Sequence, residues 1–389
     1  MRQWVLVAVL VVGCSEPQPG TELVVRDSAG VQILERPGSA WDAPTTWGVS
    51  TDPIVVIDDE FHEVASALRL PSGRIAVADR GTNVVGVYES DGTRVYRLGG
   101  SGNGPGEFAA LQGLGRLEGD SLFAFDRRLG RITLFDATGS LLGTVQTQGT
   151  LVSVSRFVDG RWFVAEAEGE WGTTLDPSAP AGLHRSPAAA FVLDRDGVQM
   201  DTVGNFPASE MAITRVDGRP GAVPPPYGRM LSFALEGELI YVGTGDFLGF
   251  DVYSPDGRKL RSVRAPEPDR TLTAVDVELF QAAMLDALPS GVDASAFEAI
   301  LREAAVPREK AAYTRLLVDP RGKVWLSEYE SSFLATGLWR VVDGEGNPVA
   351  EVRVPDGFRI TDLGVDHVLG VWRGDFDVES IRMYQLERR

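Results

Sequence analysis

LGGSGNGPGEFAALQGLGRLEGDSLFAFDRRLGRITLFDATGSLLGTV, residues Leu98–Val145, reads as a glycine-rich connector followed by four short strands. The strands fall at about Gln112–Leu117, Leu122–Phe125, Ile132–Asp136 and Leu141–Val145. Each is an apolar run of four to six residues closed by a Gly- or Asp-bearing turn, which is strand chemistry rather than helix chemistry. Four consecutive hairpin-linked strands make one blade of a β-propeller.

The same order recurs along the chain. Blade one takes Ala65–Leu70, Ile75–Asp79, Val84–Tyr88 and Arg94–Leu98. Blade three takes Val152–Phe157, Trp162–Ala165, Ala189–Asp194 and Val198–Val203, with a long insertion at Glu166–Pro187. Blade four takes Met230–Leu235, Leu239–Val242, Gly249–Tyr253 and Lys259–Val263. Blade five takes Tyr313–Val318, Val324–Ser327, Gly337–Val342 and Pro348–Val354. Blade six has only Ile360–Val365, Val368–Arg373 and Ile381–Leu386. The expected fold is therefore all-β: a six-bladed β-propeller over residues 22–389, closed by an N-terminal strand that supplies blade six's missing fourth member. Val31–Arg36, which follows a turn at Asp27-Ser28-Ala29-Gly30, is the strand expected there, and Pro37–Glu60 reads as a loop-rich connector. Closure removes the open edges a flat sheet would present.

The turns are asymmetric. First-to-second and third-to-fourth connections are short, and the latter recur as SDG, DATG, RDG, PDG and GEG. Second-to-third connections and the links between blades are long, and in an up-and-down blade they share the opposite face. Inserted loops on one face mark the binding face of a repeat protein. That loop face carries Phe61–Glu63, Gly99–Ala109, Glu166–Pro187, the Pro-rich Asn205–Arg229 and Ala265–Ala312. The last departs from the β pattern. Thr273 and Asp276 have capping-box spacing, and Val277, Phe280, Met284 and Leu288 repeat at helical spacing. Asp293 caps a second helix bearing Phe297, Ile300, Leu301 and Ala304, so a helical hairpin is expected at about 272–307, between blades four and five. Its apolar stripe points to packing first and to a lid over the central opening second.

Composition sets the address. The chain has 389 residues with net charge −18, and its lysines are Lys259, Lys310 and Lys323. Such a chain repels phosphate backbones, so nucleic acid is not an expected partner. The N-terminus MRQWVLVAVLVVGC has one basic residue, an apolar run Trp4–Val12 and the chain's single cysteine, Cys14. That run is too short to span a bilayer of about 30 Å and fits a secretory signal. Residues 1–14 thus read as a signal ending at Cys14, and 15–21 as a polar tether.

GNGPGEF (102–108), FAFD (123–126) and GRITLFDATG (130–139) resemble the NHL repeat, with its G-x-G-P-G-E-F connector and R-I-x-x-F-D-x-x-G strand and turn. Val11-Val12-Gly13-Cys14 resembles the bacterial lipobox. The whole order is similar to bacterial six-bladed β-propeller lipoproteins, which have an early D-S-A-G-V strand and an L-V-D-P-x-G-x-V-W strand pair, here Leu317–Trp325. The resemblance implies diacylation of Cys14, a membrane partner reached through the lipid, and an extracytoplasmic location on the periplasmic face or cell surface.

Chemistry is sparser. The three histidines, His62, His184 and His367, do not share a face, since His367 falls beside a tight turn. His62-Glu63 does not open an H-E-x-x-H helix, because Ser66 holds the second ligand position. Gly100–Gly106 opens a strand and so is a poor phosphate cradle. Asp194-Arg195-Asp196-Gly197 resembles a calcium loop but sits where every blade turns, and turns favour Asp and Gly on their own account. Asp79 and Asp126 end second strands and are read as loop pins. Glu63 and Asp362 are the acids available to a channel lactonase. No metal and no cofactor is expected. The candidate binding face is Arg80, Arg127, Arg128, Tyr227, Asp246, Tyr329 and Glu330. The leading expectation is a non-enzymatic module for a small-molecule or protein partner; the alternative is a metal-dependent propeller hydrolase or lyase.

Overall fold

The computed structural model describes residues 22–38, 41, 43–167, 179–216, 218–288, 291–329, 337–374 and 378–388. Cys14, the tether and Glu330 lie outside them. The chain opens with β1 (Val24–Ser28), β2 (Val31–Glu35), β3 (Thr45–Val49) and β4 (Val55–Ile57). Blade one is β5 (Val64–Arg69), β6 (Ile75–Asp79), β7 (Val84–Tyr88) and β8 (Arg94–Gly99). Blade two is β9 (Leu111–Arg116), β10 (Leu122–Asp126), β11 (Arg131–Phe135) and β12 (Leu141–Gln146). Then come β13 (Leu151–Arg156), β14 (Trp162–Ala167), a short β15 (Gly182–His184), β16 (Pro187–Leu193) and β17 (Gln199–Pro207), of which β15 lies outside blade three.

β18 (Met211–Val216) and β19 (Arg219–Val223) precede blade four, which is β20 (Ser232–Glu236), β21 (Leu239–Gly243), β22 (Gly249–Tyr253) and β23 (Lys259–Arg264). Helices α1 (Ala274–Asp286) and α2 (Ala294–Glu303) follow. Blade five is β24 (Arg315–Val318), β25 (Val324–Ser327), β26 (Leu338–Val342) and β27 (Pro348–Arg353). Blade six holds β28 (Phe358–Leu363), β29 (His367–Arg373) and β30 (Glu379–Glu387). The architecture is an all-β six-bladed propeller with two short helices.

Apolar side chains fill the wedges between successive blades. Leu68, Ala76, Val85, Phe108, Leu122 and Phe135 pack blade one on blade two. Phe123, Ile132, Val154 and Trp162 continue the contact into blade three. Glycines on β9 make room for this. A Cβ on Gly115 would stand 2.1 Å from the Phe123 ring. At Gly99, φ is +86° and the Phe108 ring lies where a side chain would go, so the GNGPGEF connector closes over its own phenylalanine. Arg131 completes the connector by donating to the Asn103, Gly104 and Glu107 carbonyls.

The turns between third and fourth strands of blades two, three and five share one device. In blade two, Asp136 Oδ1 accepts the Thr138 and Ser140 N–H groups at 2.8 and 2.9 Å, and Gly139 takes φ +87°. Asp343 binds Glu345 N and Asn347 N at 2.9 Å each. Asp194, in the calcium-like segment, binds Asp196 N and Val198 N in the same way. Its carboxylate is the hinge of a turn.

The N-terminal segment departs from expectation. Val31–Glu35 does not reach blade six. It pairs in parallel with the outer strand of blade four, Gln32 opposite Arg261 through Glu35 opposite Arg264, and β1 extends that sheet to six strands. The place beside β30 is taken by β4, with Ile57 opposite Ile381 and Val55 opposite Met383. The connector read as loop-rich therefore holds two strands. β3 bridges blades five and six, pairing in parallel with β27 and antiparallel with β30. A three-residue strand between Pro53 and the acidic run Asp58-Asp59-Glu60 has too few residues to show a period, and a parallel partner leaves no turn signature.

Ile57 is almost wholly buried between blades six and one, whereas Val24 on the open edge is exposed. Ile57→Ala should therefore cost about 2–5 kcal/mol in denaturant unfolding. Val24→Ala should stay within about 0.5 kcal/mol. Equal effects would show that β4 does not bear on propeller stability.

Candidate functional site

The aspartates that end second strands are held by backbone. Asp126, fully buried, accepts Ala109 N and Ala110 N at 2.6 and 2.8 Å on one oxygen and Leu129 N at 2.7 Å on the other. Asp79 accepts Glu63 N and Gly81 N at 3.0 Å, His62 N at 3.3 Å and the Thr82 hydroxyl at 2.8 Å. Each carboxylate ties the incoming linker to the strand end and so fixes the loop face. Asp79 thus accepts four hydrogen bonds and Asp126 three, out of about four acceptor sites on a carboxylate. Glu63 and Asp362 do not converge. Glu63 precedes β5 on the loop face and pairs with Arg80, while Asp362 lies near the far end of β28, accepting Arg69 N and Arg116 Nη2.

The candidate binding residues fall into two groups. Arg80 follows Asp79, pairs with Glu63 and reaches Gln112 Oε1 of blade two at 3.4 Å. Arg127 holds the matching position after Asp126, its N–H donating to Ala110 O, and Arg128 beside it is exposed. These three arginines give blades one and two a basic loop-face rim.

Tyr227, Asp246 and Tyr329 gather over blades four and five. The Tyr227 and Tyr329 ring centroids are 4.3 Å apart at 38°. The Lys310 ammonium lies 4.7 Å from the Tyr227 ring centroid and donates to Asp276 at 2.8 Å. Burial pushes the Tyr227 phenol up, helped by the Asp276 charge and opposed by Lys310. Asp246 is a junction. Arg185 Nη1 lies 3.1 Å from both of its oxygens, and Arg229 Nε lies 3.0 Å from Oδ1. Arg229 also meets the buried Glu210 at 3.3 Å and Glu309 at 3.2 Å. Arg270 pairs with Glu309 at 2.9 Å and Glu267 at 3.2 Å.

This network fastens a small additional layer. β15, β18 and β19 form a three-stranded sheet outside the blades. α1 and α2 cover it, with Ala212, Val223, Phe280, Met284 and Leu301 as their common core. The Asn205–Arg229 segment, expected as loop, thus contributes two strands. The helix caps form as their spacing requires: Thr273 Oγ1 accepts Asp276 N while Asp276 accepts Thr273 N, and Asp293 accepts Ser295 N and Ala296 N. Three insertions far apart in sequence meet here: the second-to-third loop of blade three and the links into blades four and five. Together they make a cap on the loop face. Sequence reasoning missed Arg185, Arg229, Arg270 and Glu309, whose signal would have been a surplus of arginine and glutamate confined to the insertions.

A family model described as a 6-bladed beta-propeller matches residues 58–164. No curated protein matches this sequence. Among solved structures, a Bacteroides fragilis protein described as exported aligns at 10% identity and TM-score 0.51, over 90% of this chain and 98% of that one. A gluconolactonase from Xanthomonas campestris aligns at 12% identity and TM-score 0.47, over 88% and 98%. The calcium-binding protein regucalcin from Agrobacterium tumefaciens aligns at 11% and 0.43, over 89% and 97%. These likenesses concern the fold alone.

Asp126→Ala strips three backbone N–H groups of their acceptor, and an orphaned buried donor costs about 1–3 kcal/mol. The variant should lose at least about 3 kcal/mol of stability in denaturant unfolding, with Asp126→Asn losing less. A wild-type transition for Asp126→Ala would mean that this carboxylate is not a pin.

Burial pushes the Asp276 carboxyl up, but the Lys310 ammonium and the Thr273 donors outweigh it and hold the group down at about 2. Its folded value lies below the ordinary value of about 3.9, so its stabilisation is present above that value and is lost as pH falls through about 2. Proteolysis of the α1–α2 region by an acid-active protease should rise over that window. Lys310→Met should remove much of the rise.

Proposed function

We propose that the chain is an exported, lipid-anchored propeller that binds a small-molecule or protein partner on its loop face, with the cap as the specificity-bearing wall. The observation that carries this is the cap itself. Three separate insertions converge on one face and are locked there by a shared arginine–carboxylate network. Residues placed so far from one another in sequence and held together at this expense of charge desolvation suit a surface built for a partner.

Arg80, Arg127 and Arg128 supply the basic rim of the proposed surface, suited to carboxylate or phosphate groups. Tyr227, stacked on the buried Tyr329 and packed on the cap's apolar core, joins the cap to the loop face. The engagement of Asp79 and Asp126 by several loop donors each favours binding over acid–base catalysis. The lipobox-like Val11-Val12-Gly13-Cys14 supports export and acylation, and residues 15–21 then serve as the tether.

Two measurements test this. Cys14→Ala should move the protein from the membrane fraction to the soluble fraction; unchanged fractionation counts against the lipid anchor. Metal analysis of the purified protein should find no stoichiometric calcium or zinc, and one equivalent of either would replace the binding module with the metal-dependent hydrolase.

A further inference from the structure

The chain enters the propeller at a defined corner. Val24 pairs with Glu35, and Glu35 with Arg264, the last residue of blade four's outer strand. Fourth strands end at the loop face, so residue 22 lies at the loop-face rim of blade four. The link that begins at Ala265, on the same rim, carries α1 and α2.

Seven residues, 15–21, separate Cys14 from that corner. Fully extended they reach about 25 Å. As a flexible coil their mean span is about 15 Å. Blade strands of up to six residues in the inner ring stand about 20 Å tall. The tether in its ordinary span is thus shorter than the height of the propeller and cannot bring the tight-turn face to an anchoring bilayer without near-complete extension.

On the loop-face side the cap offers an apolar edge. Val275, Leu279 and Ala282 follow one another at helical spacing on α1, opposite the packed Phe280 and Met284, with the exposed Glu278 and Asp286 on the same face. Val275 is 62% exposed and Leu279 56%, high values for side chains of this size inside a regular helix. Next to the tether, Val24 and Val25 are exposed as well.

We infer that the anchored molecule stands loop face down, with the α1 edge at Val275 and Leu279 resting on the bilayer surface. The inference rests on acylation of Cys14. The contact sets two apolar side chains among the Glu278 and Asp286 carboxylates and favours an uncharged lipid surface, since these acids and a chain of net charge −18 are repelled by anionic headgroups. Its consequence is that the partner of the loop face is membrane-proximal.

The test uses full-length, acylated protein in phosphatidylcholine vesicles that carry a nitroxide lipid at headgroup depth. Acylation consumes the Cys14 thiol, so an introduced cysteine is the single labelling site. Leu279→Cys places a fluorophore on the α1 edge. Val158→Cys places one on a tight turn of blade three, at a side chain 93% exposed. The Leu279 label should be quenched several-fold more strongly than the Val158 label. Equal or reversed quenching on vesicle-bound protein overturns the orientation while leaving the anchor intact. Protein that carries no acyl chain by mass and does not bind vesicles overturns the anchor, and the orientation with it.

Discussion

A carboxylate buried at the end of a second strand organises the loop face of this propeller. Asp126 gathers the N–H groups of the incoming linker and of the outgoing loop onto one group, and Asp79 repeats the arrangement in blade one. Charged acceptors make stronger hydrogen bonds than neutral ones, so each pin outweighs several ordinary loop contacts. In blades one and two the pin fixes where the incoming linker meets the strand end. The corresponding position is Gly243 in blade four and Ser327 in blade five. Into these two blades the links lengthen and carry β18, β19, α1 and α2. Ser327 keeps a remnant of the function, its hydroxyl accepting Arg315 N at 3.0 Å. Around these two blades the arginine–carboxylate network centred on Asp246 fastens the inserted links.

The N-terminal segment is the second organising feature. β1 and β2 lie on blade four, β3 joins blade five to blade six, and β4 lies beside β30. The strap therefore touches three consecutive blades before blade one begins. Its hold on the ring is hydrogen-bonded along the outer edges and apolar at Leu34, Trp47 and Ile57, each buried in a different wedge. Edge strands that would otherwise invite foreign pairing are thereby covered on these blades, leaving β1 as the exposed margin of the blade-four sheet.

Much of this was legible in the residues. Turn chemistry and apolar runs locate the blade strands to within a residue or two, apart from the end of β17, which runs four residues past Val203, because Gly and Asp at hairpin turns and β-branched runs act locally. Asp276 and Asp293 announce the helix starts for the same reason. What was not legible is pairing between distant segments. Val31–Glu35 has the look of a closing strand, yet its parallel partner β23 leaves no local mark. Val55–Ile57 is too short to display alternation. Of the cap only the helical hairpin was legible; its sheet was not, because β15 comes from one insertion and β18 and β19 from another, each too short to bury an apolar face alone. Arg80, Arg127 and Arg128 could be placed on the loop face from repeat position, but the gathering of Tyr227, Asp246 and Tyr329 depends on Arg185, Arg229 and Lys310, which only the three-dimensional arrangement brings together.

The way the strap begins has a mechanical consequence. A pull on residue 22 directed away from the loop face runs along the axis of β1, parallel to the strands of blade four. The pairs from Val24–Glu35 to Ser28–Val31 then carry the load together in shear, and the parallel β2–β23 ladder shares it. A sideways pull would instead peel β1 off one bond at a time. Rupture under load is governed by the unfolding rate rather than by equilibrium stability. The hairpin, seated on the ring by the buried Leu34, therefore resists best a load directed along its own strands.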